Sequence, residues 1–209
     1  MSGFARAPSR HGADLAALEP GFADPVHDAQ ASFRAVLEAM AHPGKIVSLP
    51  ISPMGVPPAP LRQGSAAIAL TLCDSDTSIW LDTASPDAAN YLTFHCGARF
   101  ANAPGDARFA FITDADAFPA LNTFALGSDE YPERGATLVV QVSELGNGSG
   151  VVLRGPGIRG ETQLKVAGLP ERFWIERADL AELFPRGVDV VFVVGDMLAA
   201  LPRSTRVVG

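Results

Sequence analysis

Lysine and cysteine are both scarce in this chain of 209 residues, which has two of each. Cys73 and Cys96 form no CxxC motif, and so few cysteines indicate a reducing compartment without a disulfide framework. Pyridoxal phosphate needs a lysine for its Schiff base. Lys45 begins a predicted strand and Lys165 lies within "TQLKVAG", so both are poor candidates and we expect no cofactor.

Long apolar runs and excess positive charge are also missing. No run reaches the roughly 20 residues that cross a bilayer, and the N-terminal stretch lacks the apolar core of a secretory signal. These features predict a cytoplasmic protein. The net charge of −7 argues against non-specific binding to nucleic acid or membranes. The length fits one domain, residues 1–209, with residues 1–22 as a loose tail.

No sequence pattern predicts a metal site. His95 and Cys96 are adjacent, but neighbouring side chains on a helix diverge by roughly 100°, and no third ligand follows at a known spacing. A packed histidine and a buried thiol are favoured instead. Asp74 and Asp76 could bind Mg²⁺ or share a proton. A turn that uses Asp side chains for local hydrogen bonds is the favoured interpretation.

No familiar catalytic or phosphate-binding motif is present either: the chain has no P-loop, GxGxxG or GxSxG. The stretch "RGPGIRG", residues Arg154 to Gly160, combines glycines with flanking arginines. Its backbone N–H groups could surround an anion. A simple turn that leaves a strand has the same composition and is favoured on sequence alone.

The strongest local pattern is a helix from Pro25 to Ala41 that stops at "HPG". Asp24 is placed to cap it, and proline suits its first turn. Its apolar residues recur at helical spacing and predict one buried face, formed by Val26, Ala29, Phe33, Val36, Leu37 and Met40. Arg34 and Glu38 lie four residues apart and could pair. Pro43 disfavours helical geometry at His42, and Gly44 tolerates a left-handed turn.

Helices and strands alternate along the rest of the chain. We expect a second helix capped by Ser65, a third that starts at Ser85-Pro86 and ends at Gly97, and a fourth over "PERFWIERADLAELF". Two hairpins are predicted, one at "GNGSG" (146–150) and one at Gly195-Asp196. Helices between strands predict helical layers around a sheet, and the hairpins make that sheet mixed.

Four stretches in the same order resemble the PhnH family, whose members are subunits of the bacterial carbon–phosphorus lyase machinery. They are "DPVHDAQASFRAVLEAMAHPGKIVSL", "LTLCDSDTSIWL", "GATLVVQV" and "LFPRGVDVVFVVGDMLAALPRST". The resemblance implies a three-layer α/β/α fold with a mixed sheet, similar to the large domain of pyridoxal-phosphate-dependent transferases but without that cofactor.

The same resemblance implies partners and a function. It implies a homodimer that joins the G, I and J subunits in a core complex, which makes a ribose 1-alkylphosphonate 5-triphosphate from ATP and an alkylphosphonate. This chain would be a required but non-catalytic subunit of that transferase complex. The alternatives are a stand-alone enzyme that binds nucleotide or phosphonate, and a dimeric scaffold without a ligand.

No residue can be assigned a catalytic role from the sequence. We expect Arg34, His42 and Arg203, together with Gly44, to form a polar cleft or a subunit-facing surface, because arginine suits phosphonate and triphosphate groups. The competing interpretations are a helix stop at His42, a surface pair of Arg34 with Glu38, and a solvated side chain at Arg203.

Overall fold

The computed structural model describes residues 20–51 and 54–208, so most of the predicted N-terminal tail lies outside the described residues. Within the described part, Phe22 is buried in the core. The described residues form four α-helices, α1 (Pro25–Ala41), α2 (Gln63–Leu72), α3 (Pro86–Cys96) and α4 (Arg172–Ala181). None of the helices in these ranges is long and apolar enough to cross a membrane.

The ten strands of this described part form two sheets. Their bounds are β1 (Val47–Ser48), β2 (Ser78–Leu81), β3 (Arg99–Phe100), β4 (Phe109–Ile112), β5 (Thr137–Gln141), β6 (Glu144–Arg154), β7 (Thr162–Ala167), β8 (Asp189–Val194), β9 (Met197–Leu201) and β10 (Arg206–Val208). Seven strands make the main sheet in the order β1-β9-β8-β5-β4-β2-β3, and three make a smaller sheet in the order β10-β6-β7. The run from β8 to β3 is parallel, whereas β9 is antiparallel to both of its neighbours.

Each face of the main sheet carries its own hydrophobic core. Helices α1, α2 and α3 cover one face, on which Phe111, Val139 and Val191 are fully buried or nearly so. Helix α4, short 3₁₀ turns and the smaller sheet cover the other, around Phe173 and Phe192. The predicted α/β fold with a mixed sheet is confirmed, and its second outer layer is only partly helical.

Local sequence signals set three helix ends as predicted. The Asp24 side chain accepts a hydrogen bond from the His27 N–H at the start of α1, and the Ser85 side chain does the same for Ala88 at the start of α3. Gly97 ends α3 in the left-handed conformation. The predicted cap at Ser65 is wrong, since α2 begins at Gln63 and leaves Ser65 buried inside the helix.

One predicted hairpin is confirmed and the other is wrong. Strands β8 and β9 pair across Gly195-Asp196. The "GNGSG" stretch makes no hairpin, because it lies within the single strand β6, whose register against β7 shifts between Gly146 and Val151. Gly148 and Gly150 adopt positive φ angles there, so these glycines accommodate an irregular strand rather than a chain reversal.

Helix α1 buries only part of the predicted apolar face, on which Val36 is buried and Ala29 and Met40 pack against the core. Its buried residues are Ser32, Ala35, Val36 and Ala39, most of which are small. Val26, Phe33 and Leu37 remain 75%, 49% and 55% exposed. Small side chains let α1 approach α2 and the main sheet closely, and this arrangement leaves three large apolar side chains facing outward.

Candidate functional site at the 154–160 turn

A polar cleft of about 470 Å³ separates the end of α1 from the turn between β6 and β7. We call this turn, residues 154–160, the glycine turn. The cleft is lined by His42, Pro43, Gly44, Lys45, Ile46, Asn147, Gly157, Ile158, Arg159, Glu161 and Thr162. Two stretches that are far apart in the sequence, "HPGK" and "RGPGIRG", therefore meet here.

His42 both ends the helix and borders the cleft. Its backbone is non-helical, as the following proline requires, and its N–H donates to the Glu38 carbonyl oxygen at 3.0 Å. Its Nδ1 lies 3.1 Å from the same oxygen and 3.2 Å from Glu38 Oε1. His42 therefore ends helix α1 and also lies exposed at the edge of the cleft.

Glycine is required where the glycine turn packs against the end of α1. Gly157 has a φ of 82°, and a methyl group at this position would overlap the Ala41 carbonyl oxygen. Gly44 has a φ of 83°, and a Cβ there would lie 2.7 Å from Thr162 Cγ2. The Gly44 N–H also donates to the Ala200 carbonyl oxygen on β9 at 3.3 Å. These contacts fix the cleft walls to the main sheet.

The charges around the cleft are largely paired. Lys45 Nζ lies 2.7 Å from Glu38 Oε1. That hydrogen bond, followed by the charges of His42 and Lys45, lowers the pKa of Glu38. Arg154 pairs with Glu161. Arg159 is exposed and has no ion pair or hydrogen bond with any residue in the described ranges, which leaves one cation at the rim for an anion or an acidic partner.

Arg34 lies outside the cleft, on an exposed part of α1 two turns before its end. Glu38 pairs with Lys45 and His42 rather than with Arg34, so the predicted Arg34–Glu38 pair does not form. Arg34 shares the outward side of α1 with Phe33 and Leu37 and is thereby available to a partner.

Arg203 occupies a separate place from His42 and Gly44. Its Nη2 lies 2.6 Å from Asp189 Oδ2, its Nε lies 3.2 Å from both carboxylate oxygens, and its Nη1 donates to the Pro132 carbonyl oxygen. The two side chains of the pair are only 14% and 16% exposed. Arg203 is therefore not the solvated side chain of the competing interpretation.

The segment that contains Arg203 nevertheless touches the glycine turn. A Cβ on Gly155 would lie 3.0 Å from the Ser204 carbonyl oxygen, and Pro156 borders a second hollow together with Arg203 and Ser204. The glycine turn thus lies between the "HPG" segment and the "PRST" segment. The structure brings His42 and Gly44 together in one cleft and places Arg203 beside another.

The remaining sequence candidates have structural roles. Asp74 Oδ1 accepts hydrogen bonds from the Asp76 N–H and the Thr77 hydroxyl, and these bonds, the hydroxyl's first, lower the pKa of Asp74. Burial raises the pKa of Cys96 to about 12, and its Sγ donates to the Ala69 carbonyl oxygen at 3.5 Å. Across the part of the chain that the structure describes, no three His, Cys, Asp or Glu residues are grouped to hold a metal ion.

Two important residues escaped the sequence interpretation. Arg177 is only 1% exposed, and Asp189 holds Arg203. A signal for Arg177 was available, because it lies four residues after Phe173 and three before Leu180, on the apolar face of α4. A charge at such a position indicates a buried polar contact. Asp189 gave no such signal, since an aspartate before an apolar strand is ordinary.

Comparisons with known proteins agree on one family. A family model described as "Bacterial phosphonate metabolism protein (PhnH)" matches residues 20–208. A protein of Rhizobium meliloti (strain 1021), named alpha-D-ribose 1-methylphosphonate 5-triphosphate synthase subunit PhnH, is 42% identical over 187 residues, which cover 88% of this chain and 92% of the relative. A Stutzerimonas stutzeri protein, named putative C-P lyase subunit protein HtxG, is 34% identical over 184 residues, or 85% of each chain.

Proposed function

The chain belongs to the PhnH family of bacterial phosphonate metabolism proteins, and we propose that it is a required, non-catalytic subunit of a carbon–phosphorus lyase core complex in the cytoplasm. Its subunit role in phosphonate metabolism follows from the family and from the relatives' names. In this proposal the chain forms a homodimer and joins the G, I and J subunits. Together they make a ribose 1-alkylphosphonate 5-triphosphate from ATP and an alkylphosphonate.

The outward face of α1 is the observation that best supports a subunit role. The exposed side of a surface helix is normally polar. Here Val26, Phe33 and Leu37 follow one another at spacings of seven and four residues, and about half or more of each side chain is exposed. We call these three residues the α1 stripe. Apolar patches of this kind mark protein–protein contacts.

The stripe and the cleft are neighbours on the same helix. Arg34 lies within the stripe region, and His42 follows Leu37 by little more than one turn. We propose that the stripe meets a partner subunit and that Arg34, His42 and Arg159 surround that contact with polar groups. Gly44 keeps the cleft wall in place. An apolar centre with a polar rim is the usual arrangement of a protein interface.

Reconstitution from purified subunits tests the proposal. We expect triphosphate product only when this chain is present with its partners, and none from this chain alone. Phe33→Asp and Leu37→Asp should each abolish co-elution with the partner subunits. Ile175→Asp is the matched control, because Ile175 is 65% exposed on α4, which packs on the opposite face of the main sheet.

Separate His42→Ala and Arg34→Ala variants test the polar rim. We expect both proteins to fold normally and to lose product formation in the complex. Full activity of the partner subunits without this chain would contradict the proposal and favour a dispensable scaffold. Turnover by this chain alone would instead favour a stand-alone enzyme.

A further inference from the structure

A second hollow, of about 220 Å³, lies on the other side of the glycine turn from the His42 cleft. We call it the arginine hollow. Its lining comes from the glycine turn, the end of α4 and the residues just after it, the segment that connects β9 to β10, and the first residue of β10. These residues are Pro156, Ala181, Phe184, Arg203, Ser204 and Arg206. A hollow of this size has room for a small tetrahedral anion.

A buried arginine lies beneath this lining. Arg177 precedes Ala181 by one turn of α4, and its Nη2 donates to the carbonyl oxygens of Pro202 and Thr205, which flank the lining residues Arg203 and Ser204. Its Nε and Nη1 have no hydrogen-bond partner among the described residues, although the side chain is only 1% exposed. The Thr205 hydroxyl is buried and lacks a partner in the same part of the structure.

Arg177 is unusual because it is a buried arginine with two nitrogen atoms that lack a hydrogen-bond partner among the described residues. Burial lowers the pKa of Arg177 to about 10, so the guanidinium is still charged at neutral pH. Buried N–H groups are nearly always satisfied by protein, by water or by an ion. The carboxylate whose charge acts on it, Asp189, already binds Arg203 through both of its oxygens. Arg177 and Arg203 thus share one carboxylate, which leaves an excess of positive charge beneath the hollow.

The rim of the hollow adds donors and positive charge. An arginine side chain has five N–H groups, and Arg203 directs its Nε, one Nη1 and one Nη2 hydrogen to Asp189 and Pro132. Arg206 is mostly exposed, and its ion pair with Glu182 is long, at 3.4 Å. Three guanidinium groups therefore face two carboxylates here, in a chain whose overall net charge is −7.

From these contacts we propose that the arginine hollow binds a tetrahedral oxyanion, that is, a phosphate or phosphonate group. Arginine binds such groups through paired, charge-assisted hydrogen bonds, which a compact halide cannot receive in the same way. Ser204 and Arg206 contact the anion from the rim, while Arg177 holds the 202–205 segment and supplies the buried positive charge. Pro156, Ala181 and Phe184 form an apolar wall that accepts the carbon substituent of a phosphonate.

This inference goes beyond the subunit role and does not depend on it, because the binding concerns the purified chain alone. The full chain is titrated with inorganic phosphate and, separately, with methylphosphonate, at constant ionic strength maintained by chloride, and binding is followed by calorimetry and ³¹P NMR. We expect saturable binding of one anion per chain. The combined Ser204→Ala and Arg206→Gln variant should bind at least tenfold more weakly, since it loses two rim donors without touching the core.

Arg99→Gln is the matched charge control, because Arg99 is 76% exposed and only loosely paired with Asp76 at 3.7 Å. It should bind both anions as the unchanged protein does. Tighter binding of methylphosphonate than of phosphate would support the proposal and assign the apolar wall to the carbon substituent. Equal binding would support a general oxyanion site.

Two results would overturn the proposal. One is the absence of saturable binding of either anion to the unchanged protein. The other is equal weakening by Arg99→Gln and by the rim variant, which would show a diffuse charge effect. Loss of assembly in the Phe33 and Leu37 variants with intact anion binding, or the reverse, separates this inference from the proposed subunit role.

Discussion

Replacing Asp189 with alanine should destabilise the protein strongly, although Asp189 lies far from the α1 stripe. The substitution removes the two carboxylate oxygens that accept from the Arg203 guanidinium and leaves it only the Pro132 carbonyl oxygen. It also removes the acceptor of the Arg203 backbone N–H, which donates to Asp189 Oδ1 at 2.7 Å. It also removes the carboxylate charge that favours the charged form of Arg177. Two poorly solvated guanidinium groups would then lack a counter-ion.

The size of the effect follows from burial. Breaking a buried ion pair by removing one partner costs about 3–5 kcal/mol. Because both side chains retain some exposure, 14% and 16%, we expect the lower end of that range, a loss of about 3 kcal/mol in the free energy of unfolding. For a domain of this size, each 1 kcal/mol lowers the melting temperature by about 2–4 °C, so the expected drop is about 6–12 °C.

The assay is urea and thermal unfolding of the purified chain at neutral pH. Glu182→Ala is the matched control, since it removes the partner of Arg206 from a pair whose side chains are 62% and 75% exposed. The control should change the free energy of unfolding by no more than about 0.5 kcal/mol. The combined Asp189→Ala and Arg203→Ala variant should be less destabilised than the sum of the single variants. Equal, small losses in Asp189→Ala and Glu182→Ala would refute this reasoning.

Three further predictions follow from the site and its surroundings. Gly160→Ala should lower the free energy of unfolding by about 1–2 kcal/mol, the cost of a left-handed backbone alone, because nothing lies within 4 Å of the added methyl group. Gly157→Ala should lower it clearly more in urea unfolding, because its added methyl group overlaps the Ala41 carbonyl oxygen. Equal losses in the two variants would argue against close packing at Gly157. Cys96 should react with iodoacetamide about a thousandfold more slowly than a free thiol at pH 8, because its raised pKa leaves only about one molecule in ten thousand as the thiolate. Cys73 should be similarly slow. Rapid labelling of either cysteine in the folded protein would contradict this prediction. The lowered pKa of Glu38 contributes stability that is present above its ordinary value of 4.5 and is lost as pH falls through the folded-state value. The melting-temperature difference between the unchanged protein and Glu38→Gln should therefore shrink below that pH, and a difference that grows on acidification would contradict the assignment.

Local chemistry made three helix ends and one hairpin predictable. Asp24, Ser85 and Gly97 act through hydrogen bonds or backbone angles within a few residues, so a short stretch of sequence contains all that is needed. The Gly195-Asp196 hairpin is predictable for the same reason. Ser65 shows the limit of this approach, because its position inside α2 depends on tertiary packing rather than on its own capping ability.

Other features depend on contacts between distant parts of the chain. Periodicity alone could not reveal the exact buried face of α1. Val36 is buried as expected, but the small residues at 32, 35 and 39 turn the helix so that the larger apolar residues at 26, 33 and 37 face outward. His42 was identified from the forced turn at Pro43, but its meeting with Gly157 depends on the path of β6 and β7. The pairing of Arg203 with Asp189 likewise needed the structure, because it joins the start of β8 to the segment after β9.

The position of the glycine turn between the start and the end of the chain has a consequence for biosynthesis. The cleft wall formed by residues 42–44 is anchored to Ala200, and the turn rests on residues 202–205. At translation rates of 5–20 residues per second, roughly 8–30 s separate the synthesis of Lys45 from that of Ala200. Helix α1 therefore leaves the ribosome long before its final supports exist, and a chain terminated before β9 cannot complete either the cleft or the arginine hollow.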